Sequence, residues 1–288
     1  MDDKMTIQWY PGHMTKTRRQ IEADLKQVDA VCEIVDARIP MSSRNPDIDA
    51  ICGSKPRVIV LNRIDLADPA ATKKWAAYFN EKVWAVVCTD CKSRKGIAEF
   101  TPAVRYACRE KIARDQAKGM NRPVRLMIVG IPNVGKSTLI NQVSGRKGAK
   151  AENRPGVTRG KQWVTVDSGL QLLDTPGILW PKFEDPQVGM MLAYTGAVKD
   201  GIIDIEELAC FLMELLNKLY PHTLKERYKV EAPVGTPGWE LLEMAGRSRG
   251  YLMARAEVNT ERMAKVLLDE FRGGKLGKFT LEMPEVEA

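Results

Sequence analysis

Short apolar runs alternate with longer amphipathic stretches through the first two thirds of the chain. This alternation is typical of parallel strands joined by crossover helices. Two of the runs are almost wholly apolar, as expected of strands that helices cover on both faces. The pattern predicts helices at 15–28, 70–81, 97–118 and 136–144, and strands at 31–35, 57–61, 83–87, 125–129 and 170–173. We therefore expect an α/β fold with a doubly wound, mostly parallel sheet.

The pattern changes after about residue 180, where apolar residues recur at helical spacing. Asp204 is a candidate N-cap for the first of these helices, which presents one apolar face. The predicted helices cover 205–219, 239–245 and 260–271. The chain therefore divides into an α/β domain, 1–180, and a smaller, mainly helical domain, 181–288.

Composition narrows the class of protein further. The chain has 288 residues, of which 44% are hydrophobic, so it can bury a sizeable core and intrinsic disorder is not expected. No apolar run approaches the roughly 18 to 20 residues that cross a bilayer, and no apolar block follows Asp2 and Asp3 as in a signal peptide. We expect a cytoplasmic protein without a membrane partner. Cys88 and Cys91 form a lone C-x-x-C, which is weak support for a zinc or redox role.

Charge is distributed unevenly along the chain. Residues 1–180 carry 30 Lys and Arg against 19 Asp and Glu, whereas residues 181–288 carry 14 against 18. The excess is greatest between Lys92 and Lys161, with 17 basic and four acidic residues. Such a segment attracts phosphate backbones, although a run of charge is also typical of a solvated helix face. The motifs must decide between these interpretations.

The strongest motif is G-I-P-N-V-G-K-S at 130–137, between a predicted strand and a predicted helix. In this P-loop context backbone amides wrap phosphates at a helix N-terminus, the lysine reaches the β- and γ-phosphates, and the serine hydroxyl binds magnesium. The loop therefore predicts a nucleotide-binding segment made of Asn133, Val134, Gly135, Lys136, Ser137 and Thr138.

Two shorter motifs follow the P-loop. An apolar strand ends in D-T-P-G, where Asp174 is placed to hold Mg²⁺ and the Gly177 amide to sense a γ-phosphate. Between the two lies R-P-G-V-T, where Thr158 is placed to close over Mg²⁺ when a triphosphate is bound. Each motif is weak alone, but their order and spacing after a P-loop support each other. They predict Ser137, Thr158 and Asp174 as the magnesium ligands.

Base specificity is predicted by N-R-I-D at 62–65, which ends another strand. The Asp65 carboxylate can accept from guanine N1–H and N2–H₂ together, whereas adenine has an acceptor at N1 and no amine at C2. Farther on, Cys91 in D-C-K occupies the position where a loop amide contacts guanine O6. The predicted guanine-binding residues are therefore Asn62, Arg63, Asp65 and Cys91.

These motifs stand in an order that is rotated relative to ordinary G proteins, in which the P-loop comes first. The chain resembles a circularly permuted GTPase, and most closely the YlqF-type ribosome biogenesis GTPases. The resemblance covers nearly the whole chain and rests on W-Y-P-G-H-M (9–14), D-A-R-I-P (36–40), the P-loop, N-R-P-G-V-T-R-G (153–160), D-T-P-G-I-L-W-P-K (174–182) and E-F-R-G-G-K-L-G-K (270–278). Two residues depart from the usual pattern: Arg63 stands where Lys is usual, and Asp90 where Ser is common.

The resemblance implies a GTP-hydrolysing switch in late assembly of the large ribosomal subunit. It would bind precursor particles and ribosomal RNA, in part through its helical domain, act as a monomer and leave after hydrolysis. Ile178 stands where many G proteins place a water-orienting glutamine, so we expect slow intrinsic turnover that the large subunit stimulates. With Lys136 and Thr158, the resemblance implies His13 as a catalytic group, the alternative being a role in ordering the N-terminal segment. It also implies Asn133 as a ligand of K⁺ beside the phosphates.

Two rival hypotheses come from other classes. A non-enzymatic RNA-binding placeholder could use guanine nucleotide only to stabilise its fold, but Lys136, Ser137, Thr158 and Asp174 are all intact. An ATPase would have no use for the carboxylate of Asp65. The first interpretation therefore stands as the expectation: a GTPase that requires Mg²⁺.

Overall fold

The structure is a computed structural model, and it describes residues 21–83, 85–145, 162–175, 185–198 and 204–284. These residues form two compact units. The sheet unit contains the described residues up to 175 together with 282–284, and the helical unit contains 185–281. The change of character predicted near residue 180 falls among residues 176–184, which lie outside the described ranges.

The sheet unit is built on six strands within the described ranges: β1 (Ala30–Asp36), β2 (Arg57–Asn62), β3 (Ala85–Thr89), β4 (Val124–Val129), β5 (Gln162–Asp167) and β6 (Leu170–Asp174). Their order across the sheet is β3-β2-β1-β4-β6-β5. Every neighbouring pair is parallel except β5 and β6. The predicted α/β fold with a mostly parallel sheet is therefore confirmed.

Strand β5 is the one described strand that the apolar pattern does not predict. It lies at the edge of the sheet and pairs only with β6, so most of its side chains are exposed. An edge strand of this kind needs no continuous apolar run, which is why the sequence Q-W-V-T-V-D gives so weak a signal.

Helices connect the strands of the sheet unit. Residues 21–25 are helical, and the further helices are α1 (Ile48–Cys52), α2 (Pro69–Lys82), α3 (Phe100–Ala107), α4 (Arg109–Ala117) and α5 (Lys136–Ser144). Helix α2 begins where Asp68 accepts a hydrogen bond from the Ala71 amide at 2.8 Å. The single helix predicted over 97–118 is wrong, because a 3₁₀ turn (Ile97–Glu99) precedes α3 and the backbone of Cys108 leaves helical geometry between α3 and α4.

The helical unit contains α6 (Pro186–Tyr194), α7 (Ile205–Leu219), α8 (Pro221–Tyr228), α9 (Gly238–Ser248) and α10 (Thr260–Arg272). Asp204 caps α7 as predicted, since its carboxylate accepts from the amides of Glu206 and Glu207, each at 3.0 Å. Helices α6 and α8 are not predicted by the apolar pattern. In the described part of the chain no helix is long and apolar enough to cross a membrane.

A buried carboxylate ties helices of the helical unit together. Glu270 of α10 accepts from Arg227 Nε at 3.0 Å, from the Tyr228 hydroxyl at 2.8 Å and from Arg249 Nη2 at 3.2 Å. The hydrogen bond from Arg227 lowers the pKa of Glu270, although partial burial opposes this shift. Glu270 opens the E-F-R-G-G-K segment, so its role within the described residues is to hold α8, α9 and α10.

We predict that Glu270→Gln lowers the free energy of unfolding by about 2–3 kcal/mol at pH 7, because two guanidinium groups lose their anionic partner. The loss is smaller than for a fully buried ion pair, because the Arg227 side chain is partly exposed. Because the folded pKa is lowered, this stabilisation is present above the unfolded pKa of about 4.3 and is lost as pH falls through the folded value. Denaturant unfolding at pH 7 and below pH 4 measures both effects.

The control for this prediction is Glu261→Gln on the same helix. Glu261 pairs with Lys265 one turn away, and both side chains are more than half exposed. That variant should change stability by no more than about 0.5 kcal/mol. Equal losses for the two variants would contradict the role of Glu270.

Candidate functional site

The P-loop lies at the carboxyl end of β4, where the chain turns into α5. Gly135 precedes α5 with φ of +107°, and a Cβ atom there would lie 2.3 Å from Asn62 Nδ2. Only glycine fits such a close approach with a positive φ. The tight turn brings the backbone amides at the start of α5 together, which is the arrangement that binds phosphate.

Lys136 lies inside this turn. Its ammonium donates to the carbonyl oxygens of Gly130 at 2.9 Å and Ile131 at 2.8 Å. Burial lowers its pKa to about 8, while the nearby carboxylate of Asp174 acts in the opposite direction. The lysine is therefore held by two neutral carbonyls, which an anionic phosphate can replace with a stronger partner.

Asp174 ends β6 beside the P-loop. Burial raises its pKa, although Lys136 opposes the shift. Its Oδ1 atom is buried and has no hydrogen-bond partner among the described residues. An orphaned carboxylate oxygen facing a lysine suits a divalent cation, and Ser137 in the first turn of α5 supplies the hydroxyl that magnesium prefers. These two side chains fit a magnesium site.

Asn62, at the end of β2, links three segments of the site. Its amide nitrogen donates to Val134 O at 2.7 Å, and its Oδ1 accepts from the Thr89 hydroxyl at 3.1 Å and the Cys91 amide at 3.2 Å. The asparagine is buried, so all three bonds are shielded from water. It fixes the N-R-I-D segment to the P-loop and to the D-C-K loop.

Arg63 and Asp65 follow Asn62 directly. Arg63 Nη2 donates to the P-loop carbonyl of Asn133, and Asp65 is half-buried and close enough to act electrostatically on Arg63 and Cys91. The predicted guanine residues therefore converge beside the P-loop. The Cys91 amide already donates to Asn62, so its contact with guanine O6 stays a prediction.

Asp90 supports its own loop. Its carboxylate accepts from the Lys92 amide at 2.8 Å and also interacts with Ser93. Burial raises the pKa of the Cys88 thiol, and it raises that of Cys91 to about 11, so both stay protonated at neutral pH. No group of three potential metal ligands occurs among the described His, Cys, Asp and Glu residues. Cys88 lies in β3, and Cys91 lies in the loop that follows it.

The sheet unit exposes many basic side chains of the run that begins at Lys92. A guanidinium group lies over each of two exposed aromatic rings. Arg109 is 4.5 Å from the ring centre of Tyr106, and Arg125 is 5.4 Å from that of Trp163. Such a combination of cations and rings suits both phosphates and unstacked bases. The exposed basic residues are Lys92, Arg94, Lys95, Arg105, Arg109, Arg114, Lys118, Arg122 and Arg125.

Basic residues of the helical unit have more varied surroundings. Arg272 donates to the carbonyls of Ala193 and Tyr194, and Arg249 binds Glu270, so both hold the fold. Arg262 lies over the Tyr251 ring at 4.3 Å. By contrast, Arg255, Lys275 and Lys278 are exposed. These three are among the exposed basic positions of the unit that can meet a polyanion.

Three predicted site residues fall outside the described ranges: His13, Thr158 and Gly177. Conversely, two residues beside the site were missed as contributors to it, Asp36 and Arg38 at the end of β1. Both are buried, and they form an ion pair next to Arg63. Their only sequence signal is the D-A-R-I-P segment directly after an apolar strand.

A P-loop at the end of a parallel strand, a buried aspartate on the neighbouring strand and an N-x-x-D segment that precedes both define a circularly permuted P-loop GTPase. A family model described as 50S ribosome-binding GTPase matches residues 125–234. The chain is 48% identical over 283 residues to ribosome biogenesis GTPase A of Bacillus cereus, with 98% of this chain and 95% of that protein covered. Its identity to the protein of the same name from Priestia megaterium is 47% over 283 residues, covering 97% and 98%.

A solved structure leads to the same family. The crystal structure of GNP-bound YlqF from T. maritima has a TM-score of 0.62 and 27% identity, and the match covers 94% of this chain and 99% of that one. The chain belongs to the ribosome biogenesis GTPase A family, the YlqF type. It is a GTPase with a role in ribosome assembly, and membership in this family implies the usual dependence on Mg²⁺.

Proposed function

We propose that this GTPase is a switch in late assembly of the large ribosomal subunit: it binds precursor particles and ribosomal RNA and is released after it hydrolyses GTP. The observation that carries the proposal is the pairing of buried Lys136, at the start of α5, with the buried Asp174 oxygen at the end of β6, which has no hydrogen-bond partner among the described residues. A protein that used nucleotide only to stabilise its fold would not need a buried ammonium group and a buried carboxylate next to each other at the phosphate-binding loop. The relatives' names supply the ribosomal context.

In this proposal Ser137, Asp174 and Thr158 hold Mg²⁺, which when bound neutralises charge on the β- and γ-phosphates. Lys136 moves from the P-loop carbonyls to the phosphates, and the amides of Val134 to Thr138 wrap them. Gly177 senses the γ-phosphate through its amide.

Guanine recognition is assigned to the residues around Asn62. Asp65 accepts both donors of the base edge, Arg63 covers the base next to the P-loop, and the Cys91 loop faces O6. Support comes from the hydrogen bonds by which Asn62 joins all three segments.

Hydrolysis without a glutamine after D-T-P-G requires another group near the attacking water. We assign this role to His13, and to Asn133 that of holding a K⁺ ion whose charge replaces an arginine finger. Slow intrinsic turnover follows in this proposal, because His13 acts on the water only when the ribosomal partner is bound. Equal turnover in potassium and sodium buffers would contradict the assignment of a K⁺ ion to Asn133.

Ribosomal RNA is the proposed partner of the exposed basic residues. On the sheet unit these include Arg109 over Tyr106 and Arg125 over Trp163, and on the helical unit they include Arg255, Lys275 and Lys278. The protein acts as a monomer in this proposal, and its ribosome affinity should depend strongly on salt because phosphate contacts release counterions.

We predict that phosphate release from GTP, and not from ATP, is slow for the chain alone and rises at least about tenfold with large ribosomal subunits in potassium buffer, because the subunit completes the site. His13→Ala should remove most of the stimulation while subunit binding, measured by sedimentation at one fixed salt, is unchanged. A matched control is His222→Ala, in the helical unit. Tight binding without any stimulation would contradict the switch.

A further inference from the structure

Asp36 and Arg38 form a buried ion pair at the carboxyl end of β1. Arg38 Nε donates to Asp36 Oδ1 at 2.9 Å and Nη2 donates to Oδ2 at 2.8 Å, while the Arg38 amide donates to Oδ1 at 3.0 Å. The Arg38 side chain is fully buried and that of Asp36 is 3% exposed. Removing one charge from such a pair is costly, so the pair fixes the geometry of this strand end.

A second arginine shares the same carboxylate. Arg63 Nε lies 3.7 Å from Asp36 Oδ2, and the other end of the same guanidinium donates to Asn133 O in the P-loop. The planar guanidinium therefore lies between a carboxylate on one side and a P-loop carbonyl on the other. A lysine at this position could make one of these contacts as a point charge but could not bridge both in this way.

The backbone brings Arg63 into this place at some cost. Arg63 has φ of +64°, a left-handed conformation that is strained for a non-glycine residue. Asp36 and Asn62 are paired positions in the register of β1 and β2, so the residue after Asn62 must turn back toward β1 to approach Asp36. The contacts of the Arg63 side chain offset this conformation.

The segment that follows Asp36 is held at several points. The Asp36 amide donates to Ser43 Oγ at 2.9 Å, and the Ala37 amide donates to Asn62 O at 2.9 Å. Farther along, the carboxylate of Glu282 accepts from the amides of Met41 at 2.8 Å and Ser42 at 3.1 Å. Asp36 therefore cannot move away from Arg63 without breaking a network of hydrogen bonds.

We propose that Asp36 is a positioning residue for guanine-nucleotide binding, which holds the Arg63 guanidinium against the P-loop at Asn133 and so couples the N-R-I-D segment to the phosphate-binding loop. The proposal rests on the assignment of Arg63 and Asn133 to the nucleotide site made above. Asp36 acts through Arg63 and does not touch nucleotide.

The test is a double-mutant cycle on GDP dissociation, measured by displacement of a fluorescent GDP. We expect Asp36→Asn and Arg63→Ala each to speed dissociation about tenfold, and the double variant to be no faster than either single variant, because both remove the same contact. The value of kcat at saturating GTP should stay within about twofold for Asp36→Asn, which a general loss of folding would not allow.

A second variant is needed because Asp36→Asn removes the anionic partner of buried Arg38 and could therefore misfold. Asp36→Asn combined with Arg38→Leu removes both charges of the pair and should fold, yet it should speed GDP dissociation to the same extent. The matched control is Asp49→Asn, since Asp49 also binds two arginines, Arg44 and Arg57, but is more than half exposed. It should leave dissociation unchanged.

Two outcomes would overturn the proposal. One is unchanged GDP dissociation in both Asp36 variants, and the other is multiplication of the two effects in the double variant. Failure of the nucleotide-site assignment itself looks different, because Arg63→Ala alone would then have no effect.

Discussion

Asp65→Asn is expected to convert the chain from a GTPase into a xanthosine triphosphatase. In the proposed base site Asp65 accepts from guanine N1–H and from the C2 amine, whereas an asparagine in its place would present its NH₂ to that amine. Xanthine has a carbonyl at C2, which pairs with the NH₂, while N1–H still finds the amide oxygen. The loss of two charge-assisted hydrogen bonds, each about 1.5–3 kcal/mol, should weaken GTP binding at least about 100-fold.

The measurement is the ratio of kcat/KM for GTP and XTP, taken for both proteins under the same conditions. An inversion of this ratio distinguishes a change of base specificity from misfolding, because a misfolded variant would lose activity on both GTP and XTP. Asp68→Asn is the matched control: Asp68 lies three residues farther on and caps α2. It should leave the ratio unchanged. An Asp65→Asn variant that still prefers GTP would contradict the assignment of the base site.

Lys136→Ala is expected to lower kcat for GTP by about three orders of magnitude, equivalent to about 4 kcal/mol of transition-state stabilisation. The ammonium group is buried, and its present partners are the carbonyls of Gly130 and Ile131. Lys136 is the first residue of α5, and residues 130–135 of the loop before it include no other cation.

Single-turnover hydrolysis with enzyme in excess measures this effect separately from nucleotide release. Lys111→Ala is the control: its ammonium binds Asp115 and Asp29 in the same unit, with no contact to the P-loop. It should leave kcat within about twofold of the parent. Turnover that persists in Lys136→Ala would mean that the hydrolysis does not occur in this P-loop.

The sequence predicts the sheet well where strands are buried on both faces. β1, β2 and β4 each appear as an apolar run within a residue or two of the observed bounds. It fails where burial is partial: β5 is exposed at the edge, and the break at Cys108 between α3 and α4 leaves no trace in the hydrophobic pattern. Helix propensity and apolar spacing continue through such a break, so only tertiary packing determines it.

The candidate site shows the same division. The P-loop and the N-R-I-D segment are contiguous motifs, so their residues can be named from the sequence. The contact of Asp36 with Arg63 cannot be predicted from the sequence, because it depends on the register of β1 and β2. That register pairs Asp36 with Asn62, 26 positions apart in the sequence. A departure such as Arg63 for lysine gains its physical meaning only when that register is known.

The return of the chain to the sheet unit at residue 282 makes the helical unit a topological insertion. The backbone carbonyl of Glu282 accepts from the Trp75 indole at 3.0 Å, and Trp75 is a core residue of α2. The sheet unit is thus a domain made of two chain segments, one before the helical unit and one after it. A fragment that ends before residue 282 would leave this buried indole donor without its acceptor, so a single truncation before the helical unit does not yield an intact sheet unit.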